Sequence, residues 1–317
     1  MTKVAVIGAG MWGRNLVQTF YALNALAAVV ELNPQLRTEV KDKYPDVAVY
    51  EDYKQVLEDD IPAVVLATPA PTHADVVRDA LLARKDVFVE KPMALSSAEA
   101  ESMCLLAEAH DRILMVGHLL LYHPAIQWIK DFLNDGQLGR LQSIHQTRAK
   151  FGRVRSVENV LWSFGVHDIA VLLYLAGNIP NQISSWGQRI LQSSIEDDVF
   201  LHMQFPDGVH AHLHTSWLWP EKERRLVLIG SSGMLVYEES KQQVVFHQKT
   251  VTKDLSAEDG GSSVLFSCDV QPLELECRHF LECIQKRREP VSNGRHGLEV
   301  IRVLEHASDI LRKGIQR

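Results

Sequence analysis

The chain begins MTKVAVIGAGMWG, and no other stretch constrains its fold as strongly. A short apolar run, Val4-Ala5-Val6-Ile7, stops at Gly8, and Gly8-Ala9-Gly10-Met11-Trp12-Gly13 fits G-x-G-x-x-G. Asn15 to Leu26 then reads as a helix. Gly8 permits a tight turn out of the strand. Gly10, lacking a Cβ, lets a pyrophosphate approach the backbone, and Gly13 lets the helix pack closely on the strand. The helix N-terminus offers free N–H groups and a partial positive charge to such an anion. Glycine triplets occur by chance, so the strand before and the helix after give this one its meaning. The three glycines, with Met11 and Trp12 between them, are therefore expected beside a bound dinucleotide.

Strands and helices alternate from there to about residue 118. Ala27–Leu32, Val47–Tyr50, Ala63–Ala67, Asp86–Val89 and Ile113–Val116 read as strands, with helical stretches between them. Ser96 and Glu99 form a capping-box pattern at the start of one such helix. Alternation of this kind means parallel βαβ units. After Pro124 the pattern changes to a helix and then β-rich runs separated by turn signals such as Pro206-Asp207-Gly208 and Ser231-Ser232-Gly233. These runs predict one largely antiparallel sheet. The expected fold is α/β: a Rossmann dinucleotide-binding domain over 1–119, then an α+β domain over 120–317 with a largely antiparallel open sheet. Ser256–Ser263 (SAEDGGSS) reads as a loop.

The formal net charge of −7 over 317 residues disfavours a nucleic-acid or anionic-membrane partner. The four cysteines, Cys104, Cys268, Cys277 and Cys283, form no C-x-x-C pair, as expected of reduced thiols in a cytoplasmic protein. The longest apolar stretches, such as Ile113–Tyr122, are too short to cross a bilayer.

Several strand ends carry polar residues. Glu31 ends the second strand, where a carboxylate accepts hydrogen bonds from both ribose hydroxyls of an adenosine and repels a 2′-phosphate. No basic residue follows it directly, so NAD is the expected cofactor. Thr68 with nearby His73, Glu90-Lys91 and His118 close three further strands, and in an open parallel sheet such ends line the ligand crevice. Burial there lowers a lysine pKa toward the range useful for proton exchange with a hydroxyl. His210, His212 and His214 alternate along one strand, with His202 on the strand before. They share a face, but no carboxylate or cysteine shares their spacing, so no metal is expected there.

Gly8-x-Gly10-x-x-Gly13, Ala67-Thr68-Pro69 with His73, and above all Glu90-Lys91-Pro92 at this spacing resemble the Gfo/Idh/MocA oxidoreductases. A central Gly165-x-His167 and the closing Asn293-Gly294-Arg295-His296-Gly297 extend the resemblance over essentially the whole chain. It implies that Lys91 contacts the reacting hydroxyl and the nicotinamide, and that His167 acts with it. The family often carries D-x-G-x-H where this chain has Ser163-Phe164-Gly165-Val166-His167, so the serine replaces a carboxylate. Val157–Gly177 and Leu121–Ala125, which includes Tyr122, look most like members that oxidise the C3 hydroxyl of a nucleotide sugar ahead of transamination. UDP-N-acetylglucosamine is the implied substrate, with its uronate or another sugar or inositol as alternatives and a non-catalytic NAD-binding sensor as the reading of a different class; a sugar aminotransferase is the implied functional link. Arg148, Lys150, Arg153 and Arg155 precede that stretch as a basic run that an anionic diphosphate would need. Tyr122, Arg148, Arg153, Ser163, Lys91 and His167 are accordingly the expected substrate contacts. A homo-oligomer, dimer or tetramer, is expected through the C-terminal sheet.

Overall fold

In the computed structural model, which describes residues 2–152 and 154–313, the glycine-rich start is built as strand, turn and helix. Strand β1 (Val4–Ile7) leads into helix α1 (Gly13–Ala22). There follow β2 (Leu26–Val30), α2 (Pro34–Lys43), β3 (Ala48–Tyr50), α3 (Tyr53–Glu58), β4 (Ala63–Leu66), α4 (His73–Leu82), β5 (Asp86–Val89), α5 (Ser97–Ala109) and β6 (Leu114–Val116). The six strands pair in parallel in the order β3-β2-β1-β4-β5-β6. Every residue of β1, β4 and β5 is buried. Apart from Asp86 they are apolar throughout, because helices cover both faces of a parallel sheet. Ser96 caps α5 by accepting the Glu99 amide at 3.2 Å. The returning Glu99 carboxylate takes the Leu95 amide instead of that of Ser96.

The next segment forms its own sheet. Helix α6 (Pro124–Asn134), β7 (Leu141–Ala149), α7 (Val166–Ala176), β8 (Gln182–Gln188), β9 (Asp198–Gln204), β10 (His210–Ser216), β11 (Glu223–Gly230), β12 (Gly233–Glu238), β13 (Gln243–Val251) and β14 (Ala257–Ser267) follow in order. The eight strands lie as β14-β13-β12-β11-β7-β10-β9-β8, antiparallel except for the β7–β10 pair. The expected loop at 256–263 is instead mostly strand, since β14 pairs with β13. Its glycines and serines are tolerated at a sheet edge, where only one neighbour must be matched.

Two helices close the chain, α8 (Pro272–Lys286) and α9 (Gly294–Lys313). The fold divides into one unit of residues 1–119 with 271–302 and another of 120–270 with 303–317. The sequence expectation assigned everything after residue 120 to the second domain, and 271–302 depart from it. The reason is packing. The Phe280 ring meets the Phe88 ring on β5 at 5.6 Å, and Arg287 pairs with the nearly buried Asp86 at 2.8 Å. Asn293 adds a bridge to Met115, and the buried Ser292 hydroxyl donates to the Val116 carbonyl at 2.6 Å. Among the described residues no helix is long and apolar enough to cross a membrane.

Phe280 is fully buried, so Phe280→Ala should cost about 3–5 kcal/mol, read by denaturant unfolding with NAD binding as a second readout. A loss below about 1 kcal/mol would mean that α8 is not integral to the first unit.

Candidate active site

The turn between β1 and α1 tests whether a dinucleotide fits. Gly8 has φ +96°, and a Cβ there would lie 2.9 Å from the Ala67 carbonyl oxygen. A Cβ on Gly13 would stand 2.0 Å from the Gly8 carbonyl oxygen, so only glycine lets the helix start so close to the strand. Around Gly10 a Cβ would meet nothing within 4 Å, which leaves open space over that backbone. No side chain caps α1 and its first turn holds no acid. Its leading amides therefore suit a phosphate.

Glu31 lies at this turn. Its Oε2 accepts the Ala9 amide at 2.7 Å and its Oε1 the Asn33 amide at 2.9 Å. A carboxylate has about four acceptor positions, so both oxygens retain capacity for ribose hydroxyls. Arg37, six residues on, donates to the Glu31 and Leu32 carbonyls and pairs with Glu51 at 2.9 Å. Its guanidinium is thus held in the β2–α2 turn.

At the end of β5 the buried Glu90 accepts the Trp12 indole N–H at 2.6 Å and the Lys91 amide at 3.2 Å. Burial pushes the Glu90 carboxyl up to about 7, against the Trp12 hydrogen bond and the Lys91 charge. Met11 and Trp12 are both exposed in the loop. The Lys91–Pro92 peptide is cis. His73, buried at the start of α4, has Nδ1 2.9 Å from the Pro92 carbonyl oxygen and Nε2 2.9 Å from that of Thr68. Burial lowers its pKa, against the two carbonyl contacts, which raise it. The ring ties the β4 turn to the lysine turn. Thr68 accepts the Thr72 hydroxyl at 2.8 Å. His118, buried at the end of β6, packs edge-on against His296 at 5.7 Å. Burial, then His296 and Lys91, drive its pKa well below 6.5.

In the second unit, His167 stands half-buried in the first turn of α7. A π-helical turn, Leu161–Gly165, precedes it, and in that turn the Ser163 hydroxyl donates to the Val160 carbonyl at 3.3 Å. Asp168, adjacent to His167 in sequence, is fully buried and binds Arg148 Nε through both oxygens, at 2.8 and 2.7 Å, while Gln146 donates at 3.0 Å. Arg148 also faces Glu239 at 3.6 Å, and Glu239 binds Arg224. Burial would lower the Arg148 pKa, but Asp168 and Glu239 outweigh it and raise it. Arg148, expected to meet an anionic substrate, is therefore engaged inside an ion-pair network that the sequence reading had not identified. Tyr122 is buried in the short turn before α6. Arg153 lies outside the described residues.

The histidine face differs from expectation in one respect. His145, His212 and His202 form a row across β7, β10 and β9, with His202 Nδ1 3.2 Å from His212 Nδ1. His214 does have a carboxylate partner, Asp198 at 3.1 Å. Asp198 stands on β9 four residues before His202, so it shares that strand's face, and it reaches His214 only through the β9–β10 pairing. Among the described residues, no group of three or more His, Cys, Asp or Glu side chains is arranged to hold a metal ion.

A Rossmann sheet with a glycine turn, a carboxylate at the β2 end and a glutamate–lysine–proline at the β5 end define a nucleotide-dependent oxidoreductase. The profile of the oxidoreductase family with NAD-binding Rossmann fold matches residues 2–118, and that of the GFO/IDH/MocA C-terminal domain matches 126–236. The chain belongs to the Gfo/Idh/MocA family and is an NAD-dependent oxidoreductase acting on a CH–OH group. It is similar to UDP-N-acetylglucosamine 3-dehydrogenase of Acidithiobacillus ferrooxidans, 27% identical over 230 residues, covering 71% of this chain and 70% of that one. A solved structure of that enzyme superposes with a TM-score of 0.87 at 23% identity over 98% and 97% of the two chains. 2,7-Anhydro-N-acetylneuraminate hydratase of Mediterraneibacter gnavus is 26% identical over 248 residues, 73% of this chain and 66% of the hydratase.

The Glu31 carboxylate should make kcat/KM with NAD exceed that with NADP, and Glu31→Ala should narrow the gap on the order of tenfold. Steady-state kinetics with both cofactors check this; equal or better use of NADP by the native chain would refute the role given to Glu31.

Proposed function

We propose that the chain oxidises the C3 hydroxyl of a nucleotide sugar, most closely UDP-N-acetylglucosamine, to the 3-keto sugar ahead of transamination. The observation that carries this reading is Lys91, set at the carboxyl end of β5 immediately after the buried Glu90 that grips the glycine loop through Trp12. The likeness of Val157–Gly177 and Leu121–Ala125 to nucleotide-sugar members supports the choice of substrate, as does the Acidithiobacillus relative. The uronate form of the same sugar is the near alternative.

In this reading the Lys91 ammonium hydrogen-bonds the C3 oxygen and stabilises the charge that grows on it. His167 takes the hydroxyl proton. NAD held at the Gly8–Gly13 turn would supply the acceptor for the C3 hydride, so that the ketone would form together with NADH and one proton. Ser163 shapes the pocket without carrying charge. With Arg148 engaged by Asp168, the half-exposed Arg155 and Lys150 take over the meeting with the diphosphate. A second copy of the chain covers the sheet face bearing Trp186 and Phe200, which are 81% and 55% exposed beside the histidine row. This contact makes the homo-oligomer.

Incubation with NAD and either UDP-N-acetylglucosamine or its uronate, followed at the NADH absorbance, tests the reading; no NADH from either sugar sinks it. Lys91→Ala should lower kcat about a hundredfold or more with NAD binding largely kept. His167→Asn should remove most activity together with the fall of kcat/KM at low pH, which arises because a protonated imidazole cannot accept a proton. Ser163→Ala should cost about 1 kcal/mol or less. The reverse ranking of the last two variants would exchange their roles.

Trp186→Asp should shift the sedimentation of the native chain toward the monomer. An unchanged oligomer would place the contact elsewhere.

A further inference from the structure

Helix α8 carries a carboxyl group that nothing described so far uses. Glu276 is fully buried in the first unit, and neither of its oxygens has a hydrogen-bond partner among the described residues. An unpaired carboxylate in such a place would be very costly, whereas a carboxylic acid would not. Its position follows from two periodicities. Glu276 lies one turn before Phe280 on the same helix face, and Phe280 packs on Phe88 of β5. Glu90 follows Phe88 by two residues, one past the end of β5, and its amide still donates to the Leu66 carbonyl, so strand alternation puts it on the Phe88 side. The two carboxyl groups are close enough to feel each other: burial first, and then the charge on Glu90, push Glu276 well above the usual carboxylate range.

The two acids differ in what donates to them. Glu90 receives the Trp12 indole and the Lys91 amide and lies beside the Lys91 charge. Room for it is made at Gly117, where a Cβ would lie 2.9 Å from the Glu90 carboxyl carbon. The other titratable groups nearby are His118 after β6, which faces Lys91 and His296 of α9, and Glu274 and Cys277 on α8 itself. Of these, Cys277 is buried and its thiol is pushed well up by burial and by the carboxyls, and His118 is held neutral. Neither can neutralise a second anion.

We propose that Glu276 is a positioning residue for Lys91: with Glu90 it forms a buried carboxyl pair that holds one proton, kept on Glu276, while Glu90 carries the anion that binds the Trp12 indole and the Lys91 amide. The glycine loop and the lysine turn are thereby fastened to one acceptor, and the acid behind it keeps that acceptor in a polar setting without adding a second charge. The link to catalysis rests on the role proposed for Lys91; the pair itself does not.

Two measurements on the full-length chain need neither NAD nor sugar. Infrared spectra at mildly alkaline pH should show a carboxylic-acid C=O band, resolved from ionised carboxylates, that is present in the native chain and missing in Glu276→Gln. No difference between the two spectra would mean that Glu276 is ionised and would overturn the proposal. The second follows Trp12 emission, taken as the difference from Trp12→Phe, against pH. Its midpoint should lie near 7 in the native chain, stay there in Glu276→Gln, and rise by about one pH unit in Glu276→Leu, where the polar neighbour is lost. A midpoint that falls in Glu276→Gln, or stays fixed in a folded Glu276→Leu, would overturn it too. If Glu276→Leu does not fold, the infrared and Gln arms still decide. With a substrate in hand, Glu276→Leu should lose kcat at neutral pH and regain it as the pH rises, which lost stability alone would not produce.

Discussion

The first unit depends on one close approach, that of α1 to the end of β1, where a single methyl group on Gly13 would overlap the Gly8 carbonyl. That contact starts the helix at the strand end without a side-chain cap. It also brings Trp12 to where its indole reaches across the sheet edge to Glu90, 78 residues away in sequence. The parallel order of the sheet then does the rest. Because β1, β4, β5 and β6 run the same way, their carboxyl ends fall on one edge. Residues distant in sequence, Ala9, Thr68, Lys91 and His118, are collected there without any loop having to be long.

Much of this was legible in the sequence, for identifiable reasons. Strand–turn–helix periodicity and glycine placement are local, so the Rossmann half and its cofactor turn could be read directly. The eight-stranded sheet could be read as largely antiparallel from its turns, but the parallel β7–β10 pair could not, because pairing order is not a local property. The loop expected at 256–263 failed because composition outweighed register: an edge strand needs little from its side chains. Arg148 shows a related effect. A basic run on a strand reads as surface, but a single buried carboxylate, Asp168, is enough to draw one of its members inward. Only Asp168's place next to His167 in the first turn of α7 could have hinted at it.

The Arg148–Asp168–Glu239–Arg224 network and the proposed Glu90–Glu276 pair are two ways of keeping charge inside a protein. In the network, opposite charges meet with short, directed hydrogen bonds, and Asp168 is buried at no net charge cost to its surroundings. Such pairs are weak evidence for stability in themselves, but removal of one partner strands the other. In the proposed carboxyl pair, neither Glu276 oxygen has a hydrogen-bond partner among the described residues, and protonation would do what pairing does elsewhere. The first solution fixes geometry over a wide pH range; the second makes local charge depend on solution conditions.

The return of residues 271–302 to the first unit has a consequence for how the chain acquires its structure. During synthesis from the N-terminus, the strands of the Rossmann sheet emerge first, yet Phe88 and Asp86 on β5 wait for Phe280 and Arg287, nearly 200 residues later. A fragment ending near residue 119 would expose that apolar strand face and leave the Asp86 carboxylate without its guanidinium. The dinucleotide-binding half is therefore not a module that can be cut out at the apparent boundary. Its last layer is laid down only after the whole second sheet has been made, so any transplant or truncation of it must carry the distant helical segment along.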